Sequence, residues 1–264
     1  MTDMALSSRI CAPRLAAAVL SSTALLASLS SCSSSSESEE TAPSTQALSQ
    51  DASTSASKAE HLGVTVLDTV PLLPHTFTQG LEVDPDGNLL IGTGLYGKSA
   101  LLRVRPGSLN PLEEIALNNS YFGEGITQTD AGIWQLTWKS GTAILRDSTT
   151  FAELNHAEYD GEGWGLCNAG SELIMSDGSA ELRHLDPENF EERGSRTTVT
   201  LEGSPVDNLN ELECVDGQVY ANVWMSEDIL RIDPETGEVT AVIDTANLNH
   251  RPYDDPNAVL NGIA

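Results

Sequence analysis

Positive charge and aromatic side chains are both scarce in this chain. Thirteen Lys and Arg stand against 39 Asp and Glu, a formal net charge of −26, and Phe, Tyr and Trp make up only 5% of the 264 residues. A chain this acidic, with no basic patch, repels nucleic acid and anionic lipid, which excludes a nucleic-acid partner. Helical periodicity is missing from Val64 onward. The five histidines are scattered without ligand spacing, and no G-x-S-x-G elbow is present. "GTGLYG", Gly92 to Gly97, is followed by the strand-like "KSALLRV" and reads as a turn, not a dinucleotide loop. "DPDGN" at Asp84 and "DPETG" at Asp233 lack calcium-loop spacing and read as hairpin turns. No metal and no cofactor is expected.

What is present begins with a non-globular N-terminus. Arg9 and Arg14 precede the apolar run Leu15–Leu29, which is short and Ser/Ala-rich for a membrane span and ends in "LSSC". A branched residue, two small ones and a cysteine form a bacterial lipobox. We therefore expect residues 1–32 to be a lipoprotein signal with Cys32 as the lipidation site; the plainer alternative is a secretory signal with a chance cysteine. Residues 33–60 are Ser- and Glu-rich with few large apolar side chains, too few to offset ordering entropy, and read as a disordered tether. The expected localisation is exported and lipid-anchored, at the cell surface or in the periplasm, with the anchor as the one membrane contact. Residues 61–264 are long enough for one domain with a real core, expected to be a monomer. Cys167 and Cys214 also remain after processing. An exported chain can pair them, but two cysteines make no framework, so their pairing stays open here.

The domain is a repeat. "FTQGLEV", "YFGEGIT", "EGWGLCN", "LNELECV" and "VLNGIA" each place a small or polar residue before an aliphatic one: Gly80-Leu81, Gly125-Ile126, Gly165-Leu166, Glu211-Leu212 and Gly262-Ile263. The steps are 45, 40, 46 and 51 residues. Short alternating runs such as "GIWQLTW" and "GQVYANVW" read as antiparallel strands. A period of about 40–50 residues with four strands per unit marks a propeller blade. The expected fold is an all-β, five-bladed β-propeller. In the fourth unit the strands are expected at 209–215, 218–224, 229–232 and 238–244.

Equivalent positions in a ring of blades face one another. The residues before the markers, Gln79, Glu124, Trp164, Asn210 and Asn261, should therefore meet at the channel mouth. Trp138 and Trp224, each 13 residues after its marker, should end second strands on the same rim. Trp134 alternates in phase with Trp138 and reads as blade packing. One carboxylate, three amides and several aromatics make the composition of a small-ligand pocket.

These motifs, together with "TGLYGKS" and "SDGS", resemble the plant and bacterial type of glutaminyl-peptide cyclotransferase, collinearly from Val64 to Ala264. The resemblance implies a five-bladed propeller that converts N-terminal glutamine of peptides to pyroglutamate and releases ammonia, without a metal. It implies Glu124 in "FGEG" as the catalytic carboxylate. It implies Phe77, Gln79, Phe122, Trp138, Trp164, Asn210 and Trp224 as substrate-binding residues. The family continues past "LNGIA" with the rest of its last blade, so the resemblance implies an incomplete last blade here and an open ring. In such rings an N-terminal strand, here near Val64–Val70, adds to the last blade from outside. The competing expectations are a non-catalytic surface-anchored binding module and a lactonase-like hydrolase; the latter needs channel carboxylates for a metal, and the ring offers one.

Overall fold

In a computed structural model of the chain, the described residues are 58–73, 76–248 and 259–264. They lie within one compact unit, Ser53–Ala264. The expected signal, Cys32 and nearly all of the expected tether fall outside the described residues.

Strands fall where alternating runs end in Gly, Asn-Gly or Asp-Pro. The first sheet is β2 (Thr78–Val83), β3 (Leu89–Thr93), β4 (Ala100–Val104) and β5 (Glu113–Ala116), in that order. The second is β6 (Gly123–Thr129), β7 (Gly132–Thr137), β8 (Thr142–Arg146) and β9 (Glu153–Glu158). The third is β10 (Leu166–Asn168), β11 (Leu173–Met175), β12 (Glu181–Leu185) and β13 (Thr197–Thr198), followed by the small hairpin β14 (Thr200–Leu201) and β15 (Ser204–Pro205). The fourth is β16 (Leu209–Val215), β17 (Gln218–Val223), β18 (Asp228–Ile232) and β19 (Val239–Asp244). It matches the expected strands to within a residue or so at each end.

β1 (Glu60–Gly63) pairs parallel to β19, with His61 opposite Val242. The expected domain boundary at residue 60 therefore falls inside a strand. The outer strand anticipated at Val64–Val70 is not one: it is β1, and it adds to the fourth sheet because β19 offers an unpaired edge there.

Neighbouring innermost strands touch in the order β2, β6, β10, β16, and β16 also lies against β2. The sheets pack face to face through apolar clusters. Leu90, Leu101, Ile126, Ile133 and Phe151 join the first two sheets. Trp134, Leu136, Leu166, Leu173, Met175 and Phe190 join the second and third. Ile174, Leu182, Leu209, Leu212, Val219 and Val242 join the third and fourth. Alternation explains the sorting: on β7, Ile133 faces one neighbour while Trp134 and Leu136 face the other. Trp134 is fully buried against Phe190, as blade packing requires, and donates its indole N–H to the Pro187 carbonyl.

The marker glycines are where inner strands come closest. A Cβ at Gly125 would sit 2.6 Å from the Trp164 carbonyl oxygen, and one at Gly165 would sit 2.1 Å from that of Asn210. Cys167 and Cys214 form a disulfide between β10 and β16, with Cα atoms 5.4 Å apart and a sequence separation of 47. Closing a loop of that length stabilises a domain by about 4 kcal/mol in the chain-entropy account.

Five units were expected to give five sheets. Among the described residues there are four, and the start of the fifth unit, Val259–Ala264, carries no strand pairing. That segment is nonetheless tied to the sheets on either side of it. Gly262 N–H donates to Asn222 Oδ1 (2.9 Å), Ile263 N–H to Glu211 Oε2 (2.8 Å), and Asn261 Nδ2 to the Thr78 carbonyl (3.0 Å).

Candidate active site

The ends of the inner strands carry the polar part of the site. Glu124 is the second residue of β6 and is 3% exposed, with Gln79 of β2 beside it. Gln79 Nε2 donates to Glu124 Oε2 at 2.8 Å, the one hydrogen bond that carboxylate makes among the described residues. Asn261 Nδ2 donates to Gln79 Oε1 at 2.9 Å. That bond leaves the Gln79 amide only one useful orientation: oxygen toward Asn261, nitrogen toward Glu124. Asn210, 4% exposed on β16, makes no side-chain hydrogen bond among the described residues.

Aromatics wall the mouth. On one side Phe122 meets Phe77 edge-on with centroids 6.2 Å apart, Tyr96 at 5.5 Å and Trp138 at 5.4 Å. On the other, Trp164 meets Trp224 edge-on at 6.0 Å. The rim positions are structurally equivalent between sheets. Trp138 N–H donates to the Phe122 carbonyl, Trp224 N–H to that of Asn208, and Gly94 N–H to that of Phe77. The first sheet carries glycine at this position because a Cβ there would lie 2.4 Å from Phe122 Cε1 and 2.9 Å from Gln79 Cγ. "GTGLYG" is thus a turn whose middle glycine leaves room for two pocket residues.

Gln79, Glu124, Asn261 and the expected aromatics meet at this mouth, though not equally; Asn210 holds the matching place on β16, and Cys32 lies outside the described residues. Gln79, Glu124 and Asn261 form one hydrogen-bonded chain, and Phe77, Phe122 and Trp138 one aromatic group. Trp224 is 45% exposed at the outer edge. Two residues at the mouth, Tyr96 and Glu162, carry no signal in the sequence, and a third, Asn261, carries a ring signal alone. Asn261 was placed on the ring but not among the substrate-binding residues; Tyr96 was hidden in a motif read as a turn. Glu162 was indistinguishable by spacing from the other acids, since the loop between β9 and β10 brings it to the rim. Among the described residues, no group of three His, Cys, Asp or Glu is gathered to hold a metal ion.

Burial pushes the Glu124 carboxyl well above the usual carboxylate range; the Gln79 hydrogen bond opposes this, and the nearby Glu162 charge adds to it. Such burial favours the protonated form of the carboxyl over the ionised one. Glu162 differs: burial raises it, but hydrogen bonds from Trp164 and Trp138 and the Lys139 ammonium outweigh that and leave its pKa lowered. The mouth therefore pairs a protonatable carboxyl at its floor with a fixed anion on its rim.

Together these features define an all-β propeller-like protein with a buried carboxyl at an aromatic-walled mouth. Residues 39–264 match the glutamine cyclotransferase family, and the chain belongs to that family. A glutaminyl-peptide cyclotransferase of Arabidopsis thaliana is 35% identical over 211 residues, covering 76% of this chain. The chain spans 64% of that relative's length. The crystal structure of Myxococcus xanthus glutaminyl cyclase superposes with a TM-score of 0.73 at 34% identity, covering 78% of this chain and 88% of that one. A Bacteroides caccae protein of unknown function shares the fold alone, at 16% identity and a TM-score of 0.50 over 68% of this chain and 72% of its own.

Proposed function

We propose that this protein is a glutaminyl-peptide cyclotransferase, turning the N-terminal glutamine of peptides into pyroglutamate with release of ammonia. The observation that carries the reading is the buried Glu124 carboxyl, held by Gln79 at the floor of an aromatic pocket. The substrate's α-amine must attack its own γ-carboxamide carbon, so the C–N bond that forms and the one that breaks lie in the same molecule. An aromatic-walled pocket that holds the curled conformer supplies much of the rate. Glu124 gives its proton to the departing amide nitrogen, which leaves as ammonia, and recovers one from the attacking amine; such a shuttle contributes roughly 10²–10⁴-fold. Gln79 sets the direction of Glu124. The Asn210 amide, without other side-chain bonds among the described residues, suits the substrate carboxamide or its developing oxyanion. Phe77, Phe122, Trp138, Trp164 and Trp224 wall the substrate.

In the same reading, Val259–Ala264 takes the place of a fifth blade's inner strand, since Gly262 and Ile263 bond toward the fourth sheet while Asn261 bonds to the first. Cys32 carries a lipid that tethers the exported domain to the membrane, and the acidic chain works as a monomer without nucleic acid. Incubating the purified chain with a Gln-initiated peptide, while following ammonia and the matching mass loss, tests the proposal. Absence of both would overturn it and leave a non-catalytic peptide-binding module.

A further inference from the structure

One rim carboxylate joins two walls that belong to different sheets. Glu162 Oε2 accepts the indole N–H of Trp138, which follows β7, at 2.7 Å, and that of Trp164, which precedes β10, at 3.0 Å. Glu162 Oε1 lies 3.4 Å from Lys139 Nζ, and that ammonium sits 3.8 Å above the Trp138 ring. The two indoles are also bounded from behind. Trp164 lies against Gly178, where a Cβ would come within 2.7 Å of the ring, and meets Trp224 edge-on. Trp138 leans on Phe122. Of these contacts, Glu162 is the one both indoles share.

We propose that Glu162 is a positioning residue of this site: its carboxylate fixes the spacing of the Trp138 and Trp164 walls and supplies the standing negative charge that Glu124 faces. The proposal rests on the cyclotransferase reading for its kinetic consequences, not for its geometry. An indole has one N–H and no acceptor, so its ring plane is fixed by whatever oxygen takes that proton. Two indoles converging on one oxygen cannot be reoriented independently. A carboxylate suits the position better than a neutral acceptor, because two N–H donors and an ammonium meet there. Among the described residues, the groups facing Glu124 are Gln79 from β2, Tyr159 from the loop after β9, and Glu162; Lys139 is paired with Glu162. Glu162 is therefore the anion in that set, and it favours the protonated form of Glu124 that leaving-group protonation needs.

Two variants of the full chain separate the wall from the charge. Glu162→Ala removes both; Glu162→Gln keeps an acceptor oxygen and removes the charge. Tryptophan emission reads the walls without any turnover. Steady-state kinetics on a Gln-initiated peptide reads KM, kcat and the pH profile. We expect Glu162→Ala to shift the emission and raise KM about tenfold with a smaller loss in kcat, the pattern of lost substrate positioning. Glu162→Gln should change emission and KM less. In both variants the limb of the kcat/KM profile set by Glu124 should move about 0.5–1 unit to lower pH, the scale of removing a nearby like charge. Unchanged emission in Glu162→Ala, or an unmoved limb in Glu162→Gln, would overturn the proposal. If the unmodified chain releases no ammonia, the cyclotransferase reading fails instead, and the emission arm still decides whether Glu162 ties the walls.

Discussion

Glu124 and Glu211 are both buried carboxyls on inner strands, yet they sit in regions built for different ends. Glu124 lies at the mouth, its hydrogen bond coming from a side-chain amide, with aromatic walls around it. Glu211 lies where β16 meets the first sheet and Val259–Ala264, 1% exposed. Its Oε1 accepts Leu81 N–H at 3.2 Å and its Oε2 accepts Ile263 N–H at 2.8 Å. Burial raises both pKa values. A raised pKa does not distinguish the mouth carboxyl from the fastening one; the kind of partner does. Backbone donors on two different segments turn Glu211 into a clasp, and it occupies the position where the four other units carry glycine.

The largest effect should come from Glu124→Gln. The amide keeps shape and packing but cannot shuttle a proton, so kcat should fall roughly 10²–10⁴-fold. Tm should stay level or rise, since an isolated carboxyl is no longer held in a dry site. A variant of unchanged activity would remove Glu124 from the mechanism. A Tm drop as large as the one at Glu211 would erase the contrast between the two regions.

Glu211→Gln should behave in the opposite way. One backbone N–H keeps its acceptor while the other meets an NH2 group, and a buried donor left unpaired costs about 1–3 kcal/mol. For a domain of this size that lowers Tm by about 2–12 °C. Catalytic constants of the folded fraction should change far less than in Glu124→Gln, because Asn210 and Gln79 keep their own backbones. Thermal denaturation followed beside active-site titration checks this. Full stability in Glu211→Gln would show that the Val259–Ala264 segment is held by Asn222 and Asn261 without the clasp.

The contrast was only half legible in the sequence. The repeat located both glutamates on inner strands, because blade spacing and the two-residue strand period depend on local pattern alone. It put Glu124, Gln79, Trp164, Asn210 and Asn261 at one end, since equivalent positions in a ring must converge. It could not show that Glu211 spans to Leu81, 130 residues earlier in the chain. That bond depends on which blades meet around the ring, and periodicity is silent on it. Glu162 was illegible for a different reason: it lies in a loop, where spacing carries no phase. The N-terminal strand was misplaced by a few residues because "EHLG" alternates weakly and takes its strand geometry from the β19 edge.

The smallest effect concerns the interior near the clasp, and it has a definite sign. Burial first, then the charge of Glu82, raises Glu213 to about 7. Burial also raises Glu82 to about 7, with the Gln128 N–H bond opposing it. In the unfolded chain these groups titrate near 4.5, so between about pH 4.5 and 7 the folded state binds more protons than the unfolded one. Stability must then fall as pH rises through that window. Carboxylates with lowered values, such as Asp84 and Glu192, act with the opposite sign, and their window lies below their ordinary values. Tm should therefore be higher at pH 5 than at pH 8, and Glu213→Gln should flatten the difference while leaving the Glu124 limb of the rate profile in place. A Tm that climbs from pH 5 to pH 8 would mean that this interior is wetter than its burial implies, and the likeness between Glu211 and Glu124 would then be one of position only.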